Sequence, residues 1–332
     1  MRQIIYIVTA GNRSIEVWKL LNTGEMILIQ ILNTDNLEGQ PITILKKRNK
    51  LYLGVRPQHK ILIYDICIDG RLKKIGSIDV PYSLNYLTTD STENILLCSY
   101  YHGNCISVSN IHTDHMPQMP NYFVNNIYGC HYIHINKNNK NICTTALLSD
   151  RIYLYQIKKN NNDIFLKKIH YIQCKKKSGP RHMDFDSTGK YAYSINEING
   201  TIDVWKIYHN PYIIKNIQNI SLFKTNKKGT FWSADIHITS CNNYLYASDR
   251  LHNTISIFKI DSHGKLCFVN QQHTADEPKS FAIDQNNEYL ISISRMSSVV
   301  SVYNISIQNG LLNQLYEYKV GKNPTWVLIH TL

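Results

Sequence analysis

A pattern of alternating apolar and polar residues recurs along the chain. Each copy contains a β-rich segment, a polar turn and a segment of the form I-x-h-x-x-I/L, in which h is apolar or aromatic. The copies read "IYIVTAGNRSIEVWKL", "LYLGVRPQHKILIYDI", "ILLCSYYHGNCISVSNI", "ICTTALLSDRIYLYQI", "YAYSINEINGTIDVWKI", "LYASDRLHNTISIFKI" and "LISISRMSSVVSVYNI". Alternation with a period of two is typical of half-buried strands. The pattern therefore predicts paired strands along the length of the chain.

The spacing of these copies predicts the architecture. Their last residues are Leu20, Ile66, Ile111, Ile157, Ile207, Ile260 and Ile305, with successive spacings of 46, 45, 46, 50, 53 and 45. A repeat of about 40 to 50 residues built only of strands is typical of a β-propeller with four strands per blade. We predict an all-β, seven-bladed β-propeller, with four antiparallel strands per blade, as a single domain over residues 1–332. No stretch has the 3.6-residue apolar period that a two-domain α/β fold requires.

The other strands of each blade can also be located. Short innermost strands precede the copies: "QPITIL", "PYSLNYL", "GCHYIHI", "GPRHMDF", "SADIHI", "PKSFAI" and "PTWVLIH". Outer strands follow them, as in "EMILIQIL", "DIFLKKIHYI" and "KLCFVNQQH". The chain thus begins at a second strand and ends at an innermost one. We expect the N- and C-terminal strands to share one blade, with Ile4–Thr9 paired to Thr325–His330, because closure removes an exposed sheet edge.

The composition is that of a globular protein. Hydrophobic residues make up 43% and charged residues 18%, which does not favour disorder. No apolar run approaches the roughly 18 residues of a membrane-spanning helix, and the apolar start is too short for a signal peptide. Eight cysteines are scattered without a CxxC pair, several in apolar runs, so buried reduced thiols are favoured over disulfides or metal ligands. We expect a cytoplasmic monomer that does not bind membranes.

The net charge does not by itself indicate a nucleic-acid partner. Lys and Arg number 36 against 24 Asp and Glu, a formal charge of +12. The lysines cluster in turns such as "LKKRNK", "INKNNKN" and "CKKKSG", among many asparagines. This pattern indicates a composition bias in solvent-exposed loops. No aromatic and basic platform or reading helix is visible, so no nucleic-acid partner is predicted.

One arginine is placed where a dry interior would not tolerate it. In "SGPRHMDF", Arg181 falls on the same face as the apolar Met183 and Phe185. A buried unpaired arginine is costly. The innermost strands of a propeller line a central channel and run in one direction, so their first residues lie near one mouth. A polar mouth, shared with other blades, would accommodate Arg181.

Simple hairpin registers predict which side chains meet there. The pairings that we assume are Phe185 with Tyr191, Ile44 with Tyr52, and Ile238 with Tyr244. They place Arg181 opposite Ile195 with Glu197 just beyond, Gln40 opposite Arg56, and Arg250 level with Trp232. Asp235 and His237 share a face because they are two residues apart on a strand.

The candidate site residues can be divided by expected role. The candidate catalytic residues are Glu197, His131 and Arg181, and the candidate residues for binding an anionic substrate are Arg250, Arg56, Asp235, His237 and His182. Any one of them could simply fill the channel, but three arginines and two carboxylates at one mouth exceed what filling requires.

No metal or cofactor is expected. His131 and His134, three apart on a strand, should point to opposite faces, "HTDH" at 112–115 is expected in a loop, and no HExxH, GxSxG or P-loop motif occurs. The sequence thus favours metal-free acid–base chemistry on an anionic substrate.

Several motifs carry a family resemblance over essentially the whole chain. At "GPRHMDF…YAYSINE", "SADIHIT…LYASDR" and "VGKNPTWV", with "YLGVRP" and "GCH" as further landmarks, the sequence resembles the bacterial propeller-type 6-phosphogluconolactonase family. The resemblance implies hydrolysis of 6-phospho-D-glucono-1,5-lactone to 6-phosphogluconate, a step of the oxidative pentose phosphate pathway. It also implies a phosphorylated sugar lactone as the small-molecule partner.

The resemblance extends to a set of site residues. The related fungal carboxymuconate lactonizing enzymes have a proposed site of one His, two Arg and one Glu, which match His131, Arg181, Arg250 and Glu197. The sequence departs from the family at Tyr132, where a small residue is usual.

Opening a δ-lactone with water needs a base, donors for the developing oxyanion and cations for the phosphate. We expect Glu197 to be the base, with His131 as an alternative base or as the acid. Arg181 would stabilise the oxyanion, and Arg250 and Arg56 would bind the phosphate.

Two other functions remain open at this stage. A cycloisomerase acting on a dicarboxylate lactone would use the same four residues. A non-catalytic scaffold of the WD-repeat type would not need arginines at the channel mouth, and none of the four tryptophans is followed by Asp.

Overall fold

The computed structural model describes residues 2–112, 116–120, 122–160, 163–209, 212–225 and 229–332. Of the run "HTDH", only His112 lies within the described residues. Two short 3-10 helices occur in this part of the chain, at Ala10–Asn12 and Leu147–Ser149. Neither of them, nor any other helix in the described ranges, has the length and apolar character needed to cross a membrane.

The described residues form 28 strands. Those of the first half are β1 (Gln3–Thr9), β2 (Ser14–Leu20), β3 (Met26–Asn33), β4 (Glu38–Leu45), β5 (Lys50–Arg56), β6 (Lys60–Ile66), β7 (Leu72–Asp79), β8 (Tyr86–Thr89), β9 (Ile95–Tyr100), β10 (Cys105–Asn110), β11 (Tyr122–Asn125), β12 (Cys130–Ile135), β13 (Asn141–Ala146) and β14 (Arg151–Asn160). Those of the second half are β15 (Asp163–Gln173), β16 (Pro180–Phe185), β17 (Tyr191–Asn196), β18 (Thr201–His209), β19 (Tyr212–Ser221), β20 (Ser233–Ile238), β21 (Tyr244–Asp249), β22 (Thr254–Ile260), β23 (Leu266–His273), β24 (Pro278–Ile283), β25 (Tyr289–Ser294), β26 (Val299–Ile305), β27 (Leu312–Lys319) and β28 (Pro324–Thr331).

The strands form seven four-stranded antiparallel sheets, which are the blades of a propeller. Blade 1 has the order β28-β1-β2-β3, and blades 2 to 7 take the following strands in groups of four, from β4–β7 to β24–β27. The prediction of seven blades of four strands is confirmed.

The two ends of the chain close the ring within blade 1. Strand β1 pairs antiparallel with β28, from Gln3 opposite Thr331 to Thr9 opposite Pro324. Ile4 lies opposite His330, which confirms the predicted pairing of the first and last strands.

The core lies between neighbouring blades, where their apolar faces pack together. Between blades 1 and 2, for example, Ile4, Tyr6 and Val17 pack with Leu53 and Leu62. A buried side chain of this kind contributes roughly 1.5 to 3 kcal/mol when it leaves water. Seven such clusters follow one another around the ring, so no blade has an independent core.

Buried tyrosines join adjacent blades through a hydrogen bond. The hydroxyl of Tyr6 donates to the carbonyl oxygen of Gly70 at 2.8 Å, and Tyr193 makes the same contact with Gly264 at 2.9 Å. Each glycine has a positive φ and packs so closely that a Cβ at Gly70 would lie 2.5 Å from Ile4. The ring of each tyrosine is buried while its polar end is satisfied, which suits tyrosine to this junction.

The assumed hairpin registers are wrong by one residue near the turns. Phe185 lies opposite Ala192 and Ile238 opposite Leu245. The cause is a β-bulge in each innermost strand: Pro180 pairs with Asn196, as the assumed register requires, but Met183 pairs with Ser194. Two residues therefore oppose one between these pairs, and the register slips by one.

In blade 2 the register is wrong on both sides of the bulge. Ile44 lies opposite Leu51, and Glu38 rather than Gln40 lies opposite Arg56. The residue that faces Arg56 is therefore a carboxylate.

Ring closure predicts the effect of shortening the C-terminus. Deletion of residues 324–332 removes β28 and exposes the edge of β1, so we expect the variant to aggregate or to melt well below the full-length protein. Removal of Leu332 alone, which lies beyond β28, is the control and should leave the melting temperature nearly unchanged. A truncated protein that melts like the full-length chain would contradict this view of closure.

Candidate active site

Several of the side chains at the channel mouth are directed there by β-bulges. Register shifts occur at the start of six of the seven innermost strands, namely β4, β12, β16, β20, β24 and β28. The bulged residues include His131, Arg181, His182, Asp235 and Lys279. A bulge re-aims side chains relative to a regular strand. Arg181 and His182, adjacent in sequence, are therefore both buried and both contact residues of other strands.

A single carboxylate oxygen joins two arginines at the mouth. Oε2 of Glu197 lies 2.8 Å from Nε of Arg181 and accepts a hydrogen bond from Nη2 of Arg250 at 2.9 Å. The arginines are 4% and 7% exposed, whereas the Glu197 side chain is 20% exposed. The structure thus brings together the predicted Glu and both Arg residues, and water can still reach the carboxylate.

Backbone carbonyls and an aromatic ring fix the orientation of the two guanidinium groups. Nη1 of Arg181 donates to the carbonyl oxygen of Ala234, and Nε of Arg250 donates to that of Trp232 at 3.1 Å. The guanidinium of Arg250 also stacks 3.9 Å from the centre of the Trp232 ring. Burial, together with the charge of Arg181, lowers the pKa of Arg250 to about 9.

His131 is also at this mouth and is held neutral. The residue is 8% exposed, and its Nδ1 has no hydrogen-bond partner among the described residues. Burial and the charge of Arg181 hold the pKa of His131 well below its usual range. The ring centre lies 4.9 Å from that of His182. A buried nitrogen without a partner is expensive unless it serves a ligand or water.

Below the mouth, Asp235 connects two histidines. Nδ1 of His182 donates to Oδ1 of Asp235 at 2.8 Å, and Nε2 of His237 lies 3.4 Å from Oδ2. Burial and Arg181 lower the pKa of His182 to about 4, so this ring is neutral. Burial acts to raise the pKa of Asp235, but the contacts with His237 and His182 hold it well below its usual value.

His237 does not lie at the mouth as predicted. It lies deeper in the channel, where Nδ1 is 3.8 Å from Oδ2 of Asp184. Burial favours the neutral ring, but Asp235 and Asp184 raise the pKa of His237 above its usual value. Asp235 and His237 nonetheless remain in contact, so Asp235 links the mouth to the deeper part of the channel.

Aromatic rings form a floor between the mouth and the rest of the channel. Trp326 lies 5.5 Å from Tyr86 and 5.8 Å from His182, and Tyr86 lies 4.5 Å from Tyr132, centre to centre. Tyr86 and Trp326 also line a cavity of about 260 Å³ in the channel, together with His237. Tyr132, the departure from the family pattern, is therefore part of the floor beneath His131.

Arg56 lies at the rim. Its Nε is 2.8 Å from Oε2 of Glu38, and the two side chains are 45% and 40% exposed. The structure therefore places Arg56 on the same mouth, but more exposed than Arg181 and Arg250.

Two basic residues of the mouth escaped the sequence analysis. Lys279 is the bulged residue of β24, and Arg295, just after β25, lies 2.7 Å from Oε1 of Glu277 through its Nε. Aligning the repeats would have found both. "PKSFAI" places Lys279 where "PRHMDF" has Arg181, and "SISRM" places Arg295 where "ASDRL" has Arg250.

A larger cavity, of about 540 Å³, lies at the other end of the blades. It is lined by turn residues such as Asn138, Thr188 and Ser240 and by Tyr212. Glu197, Arg181 and Arg250 converge on the mouth and not on this cavity, so we take the mouth as the functional site. Among the described residues, no group of three or more His, Cys, Asp or Glu side chains is arranged to hold a metal ion.

The fold and the mouth define a class: a seven-bladed propeller with a charged, acid–base site at one end of its channel. The chain belongs to the family described as "Lactonase, 7-bladed beta-propeller", which matches residues 4–329. The family resemblance seen in the sequence motifs is confirmed.

Full-length relatives carry a more specific name. A "6-phosphogluconolactonase" of Buchnera aphidicola subsp. Schizaphis graminum is 41% identical over 332 residues, 98% of each chain. A protein of the same name from Erwinia tasmaniensis is 33% identical over 333 residues, 100% of each chain. Among solved structures, a periplasmic gluconolactonase of Pseudomonas aeruginosa superposes with a TM-score of 0.90 at 17% identity, covering 100% of this chain and 99% of its own. At that identity the likeness shows the fold alone.

The contacts of Asp235 with His182 and His237 predict a contribution to stability that depends on pH. Asp235→Asn should lower the free energy of unfolding, because the one carboxylate that contacts both His182 and His237 is lost. The pKa of His237 is raised in the folded protein, so its attraction to Asp235 is fully present below pH 6.5 and is lost as pH rises through the folded pKa. The difference between wild type and Asp235→Asn should therefore be larger at pH 6 than at pH 9.

Urea unfolding at both pH values measures this difference. The same comparison in a His237→Gln background is the control, and there the change between pH 6 and pH 9 should vanish. A difference that is equal at both pH values in the wild-type background would show that His237 does not carry it.

Proposed function

We propose that this protein hydrolyses 6-phospho-D-glucono-1,5-lactone to 6-phospho-D-gluconate, the step of the oxidative pentose phosphate pathway for which its full-length relatives are named. The observation that carries the proposal is the Glu197 carboxylate held between Arg181 and Arg250 beside a neutral His131. These are the types of group that water addition to a lactone requires.

Several polar atoms at the mouth remain available for a substrate. Within the described residues, no hydrogen bond engages Oε1 of Glu197, Nη2 of Arg181 or Nη1 of Arg250. Each residue is thus anchored by one part of its side chain and offers another part. Such anchoring keeps the donors in place before the charge develops, which is the basis of electrostatic stabilisation in enzymes.

The proposed reaction begins with proton transfer from water to Oε1 of Glu197. The water oxygen bonds to C1 of the lactone, and the carbonyl oxygen becomes an oxyanion that Arg181 stabilises. The C1–O5 bond then breaks, and Glu197 returns its proton to the departing ring oxygen, so the carboxylate is regenerated. His131 is the weaker base because burial and nearby cations disfavour its protonation, and we assign it a hydrogen bond to the ring oxygen.

Arg250 and Arg56 are proposed to bind the phosphate. Arg250 has one free terminal nitrogen, and Arg56 presents its guanidinium at the rim beside Glu38. We further propose that the protein is a single-domain monomer of the cytoplasm, which is compatible with eight cysteines that are all unpaired in the structure. Size-exclusion chromatography tests the monomer.

The activity itself has a direct test. Purified protein is added to freshly prepared 6-phosphogluconolactone, and the loss of lactone is compared with its spontaneous loss in buffer alone. A rate no faster than the spontaneous one would overturn the proposal. Lactonisation of a dicarboxylate in the same preparation would favour a cycloisomerase instead.

Substitutions of Arg181 and Glu197 separate chemistry from channel filling. Arg181→Lys keeps the charge but loses the planar fork, and Glu197→Gln keeps the shape but removes the base. We expect turnover to fall by more than about tenfold in each, about 1.4 kcal/mol or more, and the double variant to be scarcely worse than the poorer single one. If the pair were only structural, the melting temperature would drop while the folded fraction kept near-normal turnover.

Substitutions of the proposed phosphate ligands should discriminate between substrates. A charge-assisted contact is worth about 1.5 to 3 kcal/mol, so Arg250→Ala should raise the Michaelis constant for the phosphorylated lactone about tenfold to a hundredfold. The effect of Arg56→Ala should be smaller, because its side chain is half exposed. Unphosphorylated gluconolactone is the control substrate. Equal losses on both substrates would assign these arginines to the lactone carbonyl or to the fold.

A further inference from the structure

Lys279 has no counter-ion among the described residues, although the charges of four arginines act on it: Arg181, Arg250, Arg295 and Arg56. It is the bulged residue at the start of β24, which places it at the same mouth as Arg181. The side chain is partly exposed, and it forms no ion pair or hydrogen bond with any of the described residues. A lysine that is drawn into a channel by a bulge, yet left without a partner there, indicates a ligand.

The charges around Lys279 do not balance. Arg295 is paired with Glu277 and Arg56 with Glu38, while Arg181 and Arg250 share Glu197. Deeper in the channel, Asp235 is balanced by His237. Two positive charges of the mouth are thus left without a carboxylate among the described residues. A phosphate monoester carries about −1.5 to −2 charges near pH 7, which matches this excess.

Three of the cations that account for the excess positive charge come from neighbouring blades. Arg181 belongs to blade 5, Arg250 follows the second strand of blade 6, and Lys279 opens blade 7. We propose that Lys279 is a direct ligand of the substrate phosphate and completes, with Arg250, a phosphate-monoester subsite beside the lactone-opening residues. This inference deepens the proposed function and rests on it.

The same surroundings make the subsite sensitive to pH. The charged and titratable groups around Lys279 are Arg181, Arg250, Arg295, Arg56, Glu197, Glu277, Glu38 and the neutral His131. Burial, followed by the charges of Arg181, Arg250, Arg295 and Arg56, lowers the pKa of Lys279 to about 7. Lys279 is therefore charged below that pH and loses its charge as pH rises. Phosphate binding should therefore weaken as pH rises, since an anion favours the protonated lysine.

The test measures binding of the product, 6-phosphogluconate, by calorimetry at pH 7 and pH 8, where the phosphate is mainly a dianion and Arg250, with a pKa of about 9, keeps most of its charge. For the wild type we expect the dissociation constant to rise by about fivefold across this range, because Lys279, with a pKa of about 7, loses most of its charge. Lys279→Arg keeps its charge at both pH values, so its dissociation constant should change little. Lys279→Gln should bind weakly at pH 7 and should show no comparable pH dependence. Gluconate, which lacks the phosphate, should show no such differences among the variants.

A second lysine provides the matched control. Lys60 starts β6 and lies near Asp79, so Lys60→Gln removes one charge outside the proposed subsite. We expect Lys60→Gln to bind like the wild type, and melting temperatures should confirm that all variants fold. Lys279→Gln with wild-type affinity, in a protein whose wild type hydrolyses the lactone, would overturn the subsite and leave the proposed function standing. A wild type that neither hydrolyses the lactone nor binds 6-phosphogluconate would overturn both.

Discussion

The pairing of β1 with β28 is the constraint on which the rest of the structure depends. The hydrophobic core lies between blades, so each blade is stable only with a neighbour on both sides. Without the hydrogen-bonded ladder from Gln3–Thr331 to Thr9–Pro324, blades 2 and 7 would lose that neighbour. No disulfide shares this task, because all eight cysteines are unpaired. Closure also sets the distance across the mouth, where residues of blades 4 to 7 meet.

Glu197 has a structural role and a proposed chemical role at the same time. Two guanidinium groups at 4% and 7% exposure would be strongly destabilising without a carboxylate between them. Glu197 supplies it through one oxygen, and the other oxygen accepts no hydrogen bond from the described residues. A neutral His131, kept so by burial and by the same arginines, adds a polar group without adding charge. The side chains are therefore held in place before a substrate enters, and each keeps polar atoms that no described residue engages.

The fold could be predicted from the sequence because the same strand pattern recurs at nearly regular intervals along the chain. Copies that end at intervals of 45 to 53 residues define the blades. The chain begins at a second strand and ends at an innermost one, which predicts that its two ends complete one blade. The motifs around Arg181, Glu197 and Arg250 also predicted the family and the residues that the structure brings together. The local geometry could not be predicted in this way. A β-bulge has no reliable sequence signature, yet it slips the register between Pro180 and Met183 and turns His182 toward Asp235.

The positions of the missed residues follow from the same geometry. Lys279 has an ordinary place in an alternating strand, and only the bulge before Ser280 directs it to the mouth. In a propeller, residues at equivalent positions of the repeats lie close together near the channel, since the first residues of all innermost strands converge on one axis. Basic residues at that position, or just after the second strand, therefore gather even though 40 or more residues separate them along the chain. Arg181 and Lys279 share the first position, and Arg56, Arg250 and Arg295 share the second. The overall charge of +12 could arise from composition alone, but this convergence could not, because it requires basic residues at matching places in different blades.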